Sequence, residues 1–211
     1  SASRLRDICR RSGHLSHSRR LQAFGVDLML LILDIDETLV YASDTKLDRH
    51  EDFTCPPYYI YKRPGLEAFV ADMQQHFEIA VWTSSSELYA QTVISHIFPV
   101  DYPLAFVWAR SRCVKRFNEL TYEYNYIKDL KKVKKRGYDL AQVLMVDDSS
   151  EKLSRNYGNH ISIRPFNGDI DDIELELLAR YLRQLESVAN VRTIEKRHWR
   201  AKIVTAGRTM G

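Results

Sequence analysis

The feature that most constrains the fold is an apolar run, residues 28–33, that ends abruptly in acidic residues. The run is too short for an ordinary helix and carries no helical stripe, so it predicts a strand buried on both faces of a parallel sheet. Ligands of open α/β sheets bind at the carboxyl ends of the strands, and Asp34 and Asp36 follow this strand directly. Because residues two apart on an extended backbone share a side, we expect the two carboxylates to lie together.

The pair formed by Asp34 and Asp36 leaves two interpretations open. Neighbouring carboxylates repel each other unless a cation or a proton offsets them, and an oxygen-rich site with room for water is typical of Mg²⁺. An aspartate neutralised in this way is a competent nucleophile towards phosphorus, through an aspartyl-phosphate intermediate. Asp-rich triplets are also common in turns. Taken alone, the pair therefore predicts either a magnesium site or a simple turn.

Two later strand ends carry polar groups of the same kind. Residues 79–82 predict a buried strand that runs into the hydroxyl-rich stretch 83–86 and then a helix to about residue 97. Hydroxyls beside a helix N-terminus can hold an anion, and the alternative is a helix N-cap, which needs only one such residue. Residues 142–146 predict another buried strand, which ends in Asp147 and Asp148. A strand-end carboxylate pair that recurs is hard to explain by turns alone.

The residues of these strand ends resemble a known family. The run DIDETLV from Asp34 resembles the first motif of the haloacid dehalogenase superfamily, in the variant of the small CTD phosphatase and NLI-interacting-factor branch. Thr83 stands at the position of the second motif, and the stretch YIKDL with Lys128 is similar to the third. Asp147 and Asp148 resemble the fourth motif, nearer to the TFIIF-associated CTD phosphatase form than to the Asp-Asn-Ser of many small CTD phosphatases.

The resemblance implies an α/β fold, with a Rossmann-like parallel sheet flanked by helices and with a short flap and a small β insertion instead of a large cap domain. It also implies a Mg²⁺-dependent phosphatase in which Asp34 attacks phosphorus, while Asp36 protonates the leaving oxygen and later activates water. The expected site residues are Asp34 and Asp36 for catalysis; Thr83, Ser84, Lys128 and Arg110 for the phosphate; and Asp34, Asp36, Asp147 and Asp148 for the metal.

The resemblance further implies a phosphorylated protein or peptide as the substrate, because small CTD phosphatases act on phosphoserine in the tail of RNA polymerase II. Those enzymes hold a proline in an apolar pocket, whereas here the segment after the first motif is polar, and Ser86 stands where an apolar residue is expected. A nucleic-acid 3′-phosphatase and a small-metabolite phosphatase on the same fold are therefore alternatives. A non-catalytic module that binds a phosphorylated ligand is a third.

Two other classes of phosphoryl-transfer enzyme do not fit the sequence. A cysteine-dependent phosphatase needs an Arg at a fixed spacing after its Cys, and the matching positions hold Leu15, Tyr61 and Glu119. A P-loop kinase needs a Gly-rich cradle with a Lys, and no such motif occurs.

The segments between the motifs predict smaller elements. Residues 41–57 are polar and predict a loop or a flap over the crevice, and residues 58–61 predict a short edge strand. A helix is expected from Pro64, because proline is well tolerated at the first helical position. Residues 105–108 predict a strand in an inserted hairpin or a small lid, and an apolar stripe predicts a helix from about Asp171.

Length and charge predict three segments: a basic N-terminal arm over residues 1–20, a phosphatase domain over residues 21–188 and a basic C-terminal tail over residues 189–211. Each end carries a net charge of +5, and because the whole chain carries +3, the domain carries −7. Basic ends can contact nucleic acid, a membrane surface or an acidic partner, or can simply be solvated.

The sequence shows no transmembrane stretch or apolar leader, and its cysteines are few and far apart. We therefore expect a soluble intracellular protein, cytoplasmic or nuclear, without a membrane partner.

Overall fold

The computed structural model of the chain describes residues 28–119 and 122–208, and the basic arm expected over residues 1–20 lies outside them. The described residues form the strands β1 Met29–Leu33, β2 Val40–Ser43, β3 Phe53–Cys55, β4 Tyr58–Lys62, β5 Phe77–Trp82, β6 Val107–Trp108, β7 Val114–Asn118, β8 Glu123–Ile127, β9 Val143–Asp147 and β10 His160–Ser162. They also form the helices α1 Leu66–His76, α2 Glu87–Ile97, α3 Lys131–Lys134, α4 Glu174–Leu185 and α5 Trp199–Arg208. None of these helices is long and apolar enough to cross a membrane.

The centre of the fold is a five-stranded sheet in the order β10-β9-β1-β5-β6, in which all neighbouring strands are parallel. The side chains of β1 alternate between two cores, one on each face of the sheet. Leu31 and Leu33 pack in the core that contains α1 and α4, whereas Leu30 and Ile32 pack in the core that contains α3. Burying such a side chain contributes about 1.5–3 kcal/mol, so an apolar run on both faces favours a central strand. The predicted parallel sheet flanked by helices is confirmed.

Two small β elements lie outside the central sheet. One is a three-stranded antiparallel sheet in the order β2-β4-β3, and the other is the β7-β8 hairpin. They are the expected flap and β insertion, and the described residues contain no large cap domain. The expectation of an edge strand at residues 58–61 is wrong, because β4 lies between β2 and β3. Aromatic and β-branched residues favour a strand, but they do not fix its place in the sheet.

The strand predicted at residues 105–108 belongs to the central sheet and not to an inserted hairpin. It is the short strand β6, which pairs with β5 at the sheet edge. The Trp108 ring packs edge-on against Trp82, with 4.8 Å between the centroids, and lies tilted by 31° against Phe106, with 4.3 Å between the centroids. These aromatic contacts bury the Trp108 side chain and so hold the two-residue strand on the sheet, while Val107 is 42% exposed.

Both predicted helix starts lie too early in the sequence. Helix α1 begins after Gly65 and not at Pro64, because Gly65 takes φ +78°, a left-handed conformation that separates the turn from the helix. Helix α4 begins at Glu174, after the acidic turn that contains Asp171.

Part of the basic C-terminal segment packs on the domain. Trp199 is 1% exposed, its ring stacks on Tyr181 at 5.4 Å, and its Nε1 donates to the Ser162 carbonyl at 2.8 Å. Val191 and Ile203 are buried in the same core. The segment therefore covers α4 as well as carrying positive charge.

Candidate active site

The ends of β1 and β9 bring three acidic side chains together. Leu33 pairs with Val146, and the Asp34 N–H donates to the Val146 carbonyl at 3.0 Å. One carboxylate oxygen from each of Asp34, Asp147 and Asp148 lies within 4.8 Å of the other two. We call these three residues the acidic cluster. It is formed by two strand ends that are far apart in the sequence.

Lys128 is the buried counter-ion of the acidic cluster. Its Nζ lies 2.8 Å from Asp34 Oδ2 and 2.6 Å from Asp147 Oδ2, and its side chain is fully buried. Lys128 follows β8 directly, so the β7-β8 hairpin leads into the site. A buried charge of this kind is tolerated only when it is paired.

Lys152 is a second cation at the acidic cluster. Its Nζ lies 3.0 Å from Asp34 Oδ2, 3.6 Å from Asp147 Oδ1 and 3.7 Å from Asp148 Oδ1. The residue belongs to a short 3-10 helix, Ser150–Leu153. Its carbonyl accepts the Lys128 N–H at 2.8 Å, which ties the two lysines together through the backbone.

The two lysines control the charge of the acidic cluster. Burial acts to raise the pKa of Asp34, but Lys128 and Lys152 outweigh it and hold the pKa below the usual 3.8. Burial and the Asp34 carboxylate raise the pKa of Asp147 to about 7. Burial also acts to lower the pKa of Lys152, yet the carboxylates around it, first that of Asp34, outweigh burial and raise the pKa above 10.5. Asp34 is therefore ionised at neutral pH, as a nucleophile must be.

Asp36 faces hydroxyl groups where Asp34 faces ammonium groups. Its Oδ2 accepts from Ser85 Oγ at 2.6 Å and from Thr83 Oγ1 at 3.4 Å, and its Oδ1 accepts from the Tyr89 hydroxyl at 2.5 Å. Burial, the largest effect, raises the pKa of Asp36 against the lowering effect of the hydrogen bonds from Ser85 and Tyr89. Two adjacent carboxyl groups whose pKa values move in opposite directions suit an ionised nucleophile and a general acid.

A tight loop carries Asp34 and Asp36 out of β1. The carbonyl of Ile35 accepts the N–H groups of Leu39 at 2.8 Å and Val40 at 3.2 Å. Residue 37 takes φ +53°, a left-handed conformation that non-glycine residues adopt only where the surroundings enforce it. The positions of the two carboxyl groups are thus fixed by the backbone of the loop.

Arg63 supports this loop from the protein interior. Its Nη1 donates to the Thr38 carbonyl at 3.0 Å, and its Nη2 donates to the Arg164 carbonyl at 2.9 Å. Its Nε and Nη2 donate to the two carboxylate oxygens of Asp172 at 2.9 and 2.8 Å. Such forked pairing adds geometric specificity to the ion pair. Arg63 therefore links the loop that carries Asp34 and Asp36 to the turn before α4.

The acidic cluster fits a hard divalent cation. All of its donors are carboxylate oxygens, which Mg²⁺ and related cations prefer. Oδ1 of Asp148 is buried and has no hydrogen-bond partner among the described residues. The Lys152 ammonium lies 3.7 Å from this oxygen, beyond hydrogen-bond distance, so a cation that binds the oxygen directly would stabilise it further. Asp148 is accordingly the strongest candidate for a metal ligand in the cluster.

The hydroxyl-rich stretch 83–86 supplies both the N-cap of a helix and hydroxyl groups that contact Asp36. Ser86 is the N-cap of α2, since its Oγ accepts the Tyr89 N–H at 3.3 Å. Thr83 and Ser85 instead direct their hydroxyls at Asp36. The helix cap needs only one residue of the stretch, which leaves the others for the site.

Ser84 and Arg110, both expected near the phosphate, contact each other. The Arg110 Nε donates to the Ser84 carbonyl at 2.7 Å, and its guanidinium lies 5.0 Å above the Tyr126 ring. The Arg110 N–H also donates to the Ser85 carbonyl at 2.9 Å. Arg110 therefore fastens the turn at the start of α2 to the β7-β8 hairpin.

Three polar residues of the site carry no sequence motif: Lys152, Ser85 and Tyr89. Lys152 follows the fourth motif at no distinctive spacing, so the sequence does not distinguish it from a lysine of an ordinary charged loop. Tyr89 lies one helical turn after the Ser86 cap. Because ligands of such sheets bind where a strand leads into a helix, a polar side chain at this place in the sequence could have indicated a site residue.

Comparison with known proteins identifies relatives of this chain. The family model for NLI interacting factor-like phosphatase matches residues 29–192. The chain is 32% identical over 169 residues to CTD small phosphatase-like protein 2 of Dictyostelium discoideum, and this alignment covers 77% of this chain and 28% of that protein. It is also 32% identical over 177 residues to the probable C-terminal domain small phosphatase of the same organism, and that alignment covers 80% of this chain and 54% of that protein. The chain spans less than two thirds of either relative.

A solved structure shares the fold. It is that of Fcp1, an essential RNA polymerase II CTD phosphatase, which aligns with a TM-score of 0.54 at 18% identity. The alignment covers 93% of this chain and 54% of that chain. At this identity the likeness concerns the arrangement of the sheet and helices.

Proposed function

Because the chain belongs to the NLI interacting factor-like phosphatase family, we propose that it is a phosphomonoester hydrolase with Asp34 as its nucleophile. The observation that carries the proposal is the environment of the Asp34 carboxylate, which lies at a strand end within 3.0 Å of the ammonium groups of Lys128 and Lys152. Phosphate monoesters hydrolyse very slowly unaided, so such a site must lower the barrier mainly by positioning and by neutralising charge.

In the first half of the reaction, an Asp34 oxygen forms a bond to phosphorus while the bond from phosphorus to the ester oxygen breaks. Asp36 donates its proton to that leaving oxygen, which departs as an alcohol and leaves an aspartyl phosphate. The raised pKa of Asp36 supports this role, because it favours the protonated form that a general acid needs. The hydroxyls of Ser85 and Tyr89 orient the Asp36 carboxyl group.

In the second half, the Asp36 carboxylate removes a proton from a water molecule. The water oxygen bonds to phosphorus, and the bond between phosphorus and the Asp34 oxygen breaks. Inorganic phosphate leaves, Asp34 is again a carboxylate and Asp36 is again protonated. The pair therefore returns to its starting state without a further reactant.

The phosphate and a metal ion would be held by different residues. Lys128 would neutralise the phosphoryl oxygens, and Thr83 would orient them through its hydroxyl. We propose Mg²⁺ as the metal, held by the Asp34 carboxylate, the Asp36 carbonyl and Asp148, with Asp147 close by. Bound there, Mg²⁺ would stabilise negative charge on the transferring phosphoryl group.

We propose a phosphorylated protein or peptide, with phosphoserine or phosphothreonine, as the substrate class. The names of the matched relatives support this class, since both are CTD-type small phosphatases. The aromatic surface beside Asp36 also supports it. Tyr58, which is 39% exposed, packs edge-on against Tyr89 at 6.2 Å and offers a neighbouring peptide side chain an apolar contact.

A substrate panel tests the proposal on the full chain. Phosphoserine peptides, 3′-phosphorylated oligonucleotides and sugar phosphates are assayed with Mg²⁺ and with EDTA. We expect the peptides to have the highest kcat/KM, EDTA to remove activity reversibly, and Asp34→Asn to be inactive on every substrate. Asp44→Asn, in an exposed part of the flap, is the matched control and should retain activity.

The other outcomes of the panel are equally informative. A salt-sensitive preference for the oligonucleotides would assign a nucleic-acid 3′-phosphatase, because contacts to a nucleic-acid backbone release counterions. Binding of phosphopeptides without turnover would assign a non-catalytic module. Full activity of Asp34→Asn, or full activity in EDTA, would refute the mechanism.

A further inference from the structure

Lys152 lies among the oxygens that a metal ion would use. Its Nζ is within 3.7 Å of a carboxylate oxygen from each of Asp34, Asp147 and Asp148. These are the same three residues whose oxygens converge within 4.8 Å of one another. The ammonium group and a divalent cation would therefore compete for the same negative charge.

Lys128 does not share this position. Its ammonium bridges Asp34 and Asp147, and its side chain is fully buried. Lys152 faces Asp148 as well, and its side chain is 21% exposed. Of these two lysines, Lys152 therefore has the route to solvent and the contact with Asp148, whose Oδ1 has no hydrogen-bond partner in the part of the chain that the structure describes.

The main chain of Lys152 is fixed while its side chain can move. Its N–H donates to the Ser149 carbonyl at 3.2 Å, and its carbonyl accepts the Lys128 N–H at 2.8 Å. A lysine carries its charge on a flexible four-carbon stem and makes no fixed fork, so the ammonium can leave the carboxylates without moving the backbone. The backbone of the 3-10 helix Ser150–Leu153 is thus held by hydrogen bonds that do not depend on the Lys152 ammonium group.

We propose that Lys152 is a built-in counter-cation of the acidic cluster, which holds the three carboxylates together until a divalent metal ion displaces it. The inference rests on the metal site of the proposed function. It gives Lys152 a role distinct from that of Lys128: Lys152 sets the metal affinity, and Lys128 stays paired with Asp34 in both states. Once displaced, the ammonium group lies on the open side of the cluster.

Direct metal binding tests this proposal without relying on turnover. Wild type, Lys152→Met and Lys152→Gln are titrated as full chains with Mn²⁺, and free Mn²⁺ is followed by electron paramagnetic resonance. Both variants should bind Mn²⁺ at least about tenfold more tightly, because a like charge about 4 Å or less from the ligand oxygens has been removed. Without added metal both should melt at a lower temperature than wild type, and Mn²⁺ should raise their Tm by more than it raises that of wild type.

Lys132→Met is the matched control. Lys132 is a half-buried lysine of the neighbouring helix α3, and its Nζ donates to the Arg112 carbonyl. The substitution changes the net charge by the same amount as Lys152→Met, and the Lys132→Met variant should bind Mn²⁺ with the affinity of wild type. A tightening as large as that of Lys152→Met would attribute the effect to overall charge and overturn the proposal.

The remaining outcomes separate this inference from the metal site itself. If Asp148→Asn weakens Mn²⁺ binding while both Lys152 variants bind as wild type does, or more weakly, the role of Lys152 is wrong and the metal site stands. If Asp148→Asn binds as tightly as wild type, the metal site is wrong and the inference falls with it. Lys152 variants that fold only with Mn²⁺ would support the proposal, whereas variants that stay unfolded even with Mn²⁺ would contradict it.

Discussion

The Nζ atom of Lys128 lies 2.8 Å from Oδ2 of Asp34, and both side chains are almost completely buried. The same ammonium group lies 2.6 Å from Asp147, so one lysine neutralises carboxylates from two strands. Away from water these charges depend on each other, because a buried charge without a partner is strongly unfavourable. Lys128 therefore serves the stability of the sheet end as well as the chemistry proposed for it.

Replacing Lys128 should damage both stability and activity. We expect Lys128→Met to lower the free energy of unfolding by about 3 kcal/mol, since it leaves the buried carboxylates of Asp34 and Asp147 with Lys152 alone as their counter-ion. Activity on an aryl phosphate should fall by at least about 100-fold. Urea unfolding and steady-state kinetics measure the two effects. Lys134→Met, at an exposed position of α3, should change stability by no more than about 0.5 kcal/mol, and equal effects of the two substitutions would contradict this account.

Removing the Tyr89 hydroxyl should affect the chemical step more than substrate binding. The hydroxyl donates to Asp36 at 2.5 Å, so Tyr89→Phe leaves the proposed general acid less well oriented. We expect kcat to fall by about tenfold or more with KM little changed, because an oriented acid acts in the transition state. Tyr157→Phe is the control, since Tyr157 is 84% exposed. A rise in KM at constant kcat would assign Tyr89 to substrate binding instead.

The ion pair between Arg63 and Asp172 should make stability depend on pH. Burial acts to raise the pKa of Asp172, but the hydrogen bond from Arg63 and that from the Glu174 N–H outweigh it and lower the pKa below 3.8. A lowered carboxyl pKa gives stability that is fully present above the unfolded pKa and is lost as pH falls through the folded pKa. Asp172→Asn leaves the buried Arg63 guanidinium without its carboxylate, and because solvent partly screens Asp172 we expect the free energy of unfolding to fall by about 1–3 kcal/mol at neutral pH.

The pH dependence of that difference provides the check. Urea unfolding of wild type and Asp172→Asn should differ most near neutrality, and the two should converge as pH falls below about 4, where wild-type Asp172 takes up a proton. A difference that stays constant to low pH would show that packing, and not the ion pair, accounts for the loss.

Gly168 should be required for packing of the flap. It takes φ +93°, and a Cβ there would overlap Leu47 and lie 3.2 Å from Tyr41. We expect Gly168→Ala to lower the free energy of unfolding by about 2–4 kcal/mol, from the left-handed backbone and the overlap together. Gly137, at φ +99° with no described atom within 4 Å of such a Cβ, separates the two causes. Gly137→Ala should cost only about 1 kcal/mol, and equal losses in urea unfolding would contradict a role for Leu47.

The central strands could be predicted from the sequence because each one is a continuous apolar run. Strands β1, β5 and β9 are buried on both faces, so their composition alone marks them. The flap could not be predicted in the same way. Strand β2 is short, and its pairing with β4 depends on contacts between distant residues. The position of β4 between its two neighbours is likewise a property of the folded sheet and not of the aromatic residues in it.

The site could be predicted in part. Asp34 and Asp147 are at strand ends, so the topology of a parallel sheet determines that they lie on one edge. Lys128 was identified only by its resemblance to a family motif, because one lysine in a basic stretch has no signal of its own. Lys152 reaches the site through a turn whose geometry follows from tertiary contacts, and neither spacing nor composition marks it. Ser85 lies in the hydroxyl-rich stretch that the sequence singles out, but its contact with Asp36 depends on the fold.

The measurement that tests the central claim most directly is reductive trapping of the enzyme during turnover. Borohydride reduces an acyl phosphate to an alcohol, which converts the modified aspartate to homoserine, and peptide mapping by mass spectrometry then locates the residue. The mechanism predicts homoserine at position 34 in wild type with a phosphopeptide substrate, and none at that position without substrate or in Asp34→Asn. Homoserine at Asp36 or Asp147, or active turnover with no modified aspartate at all, would contradict it.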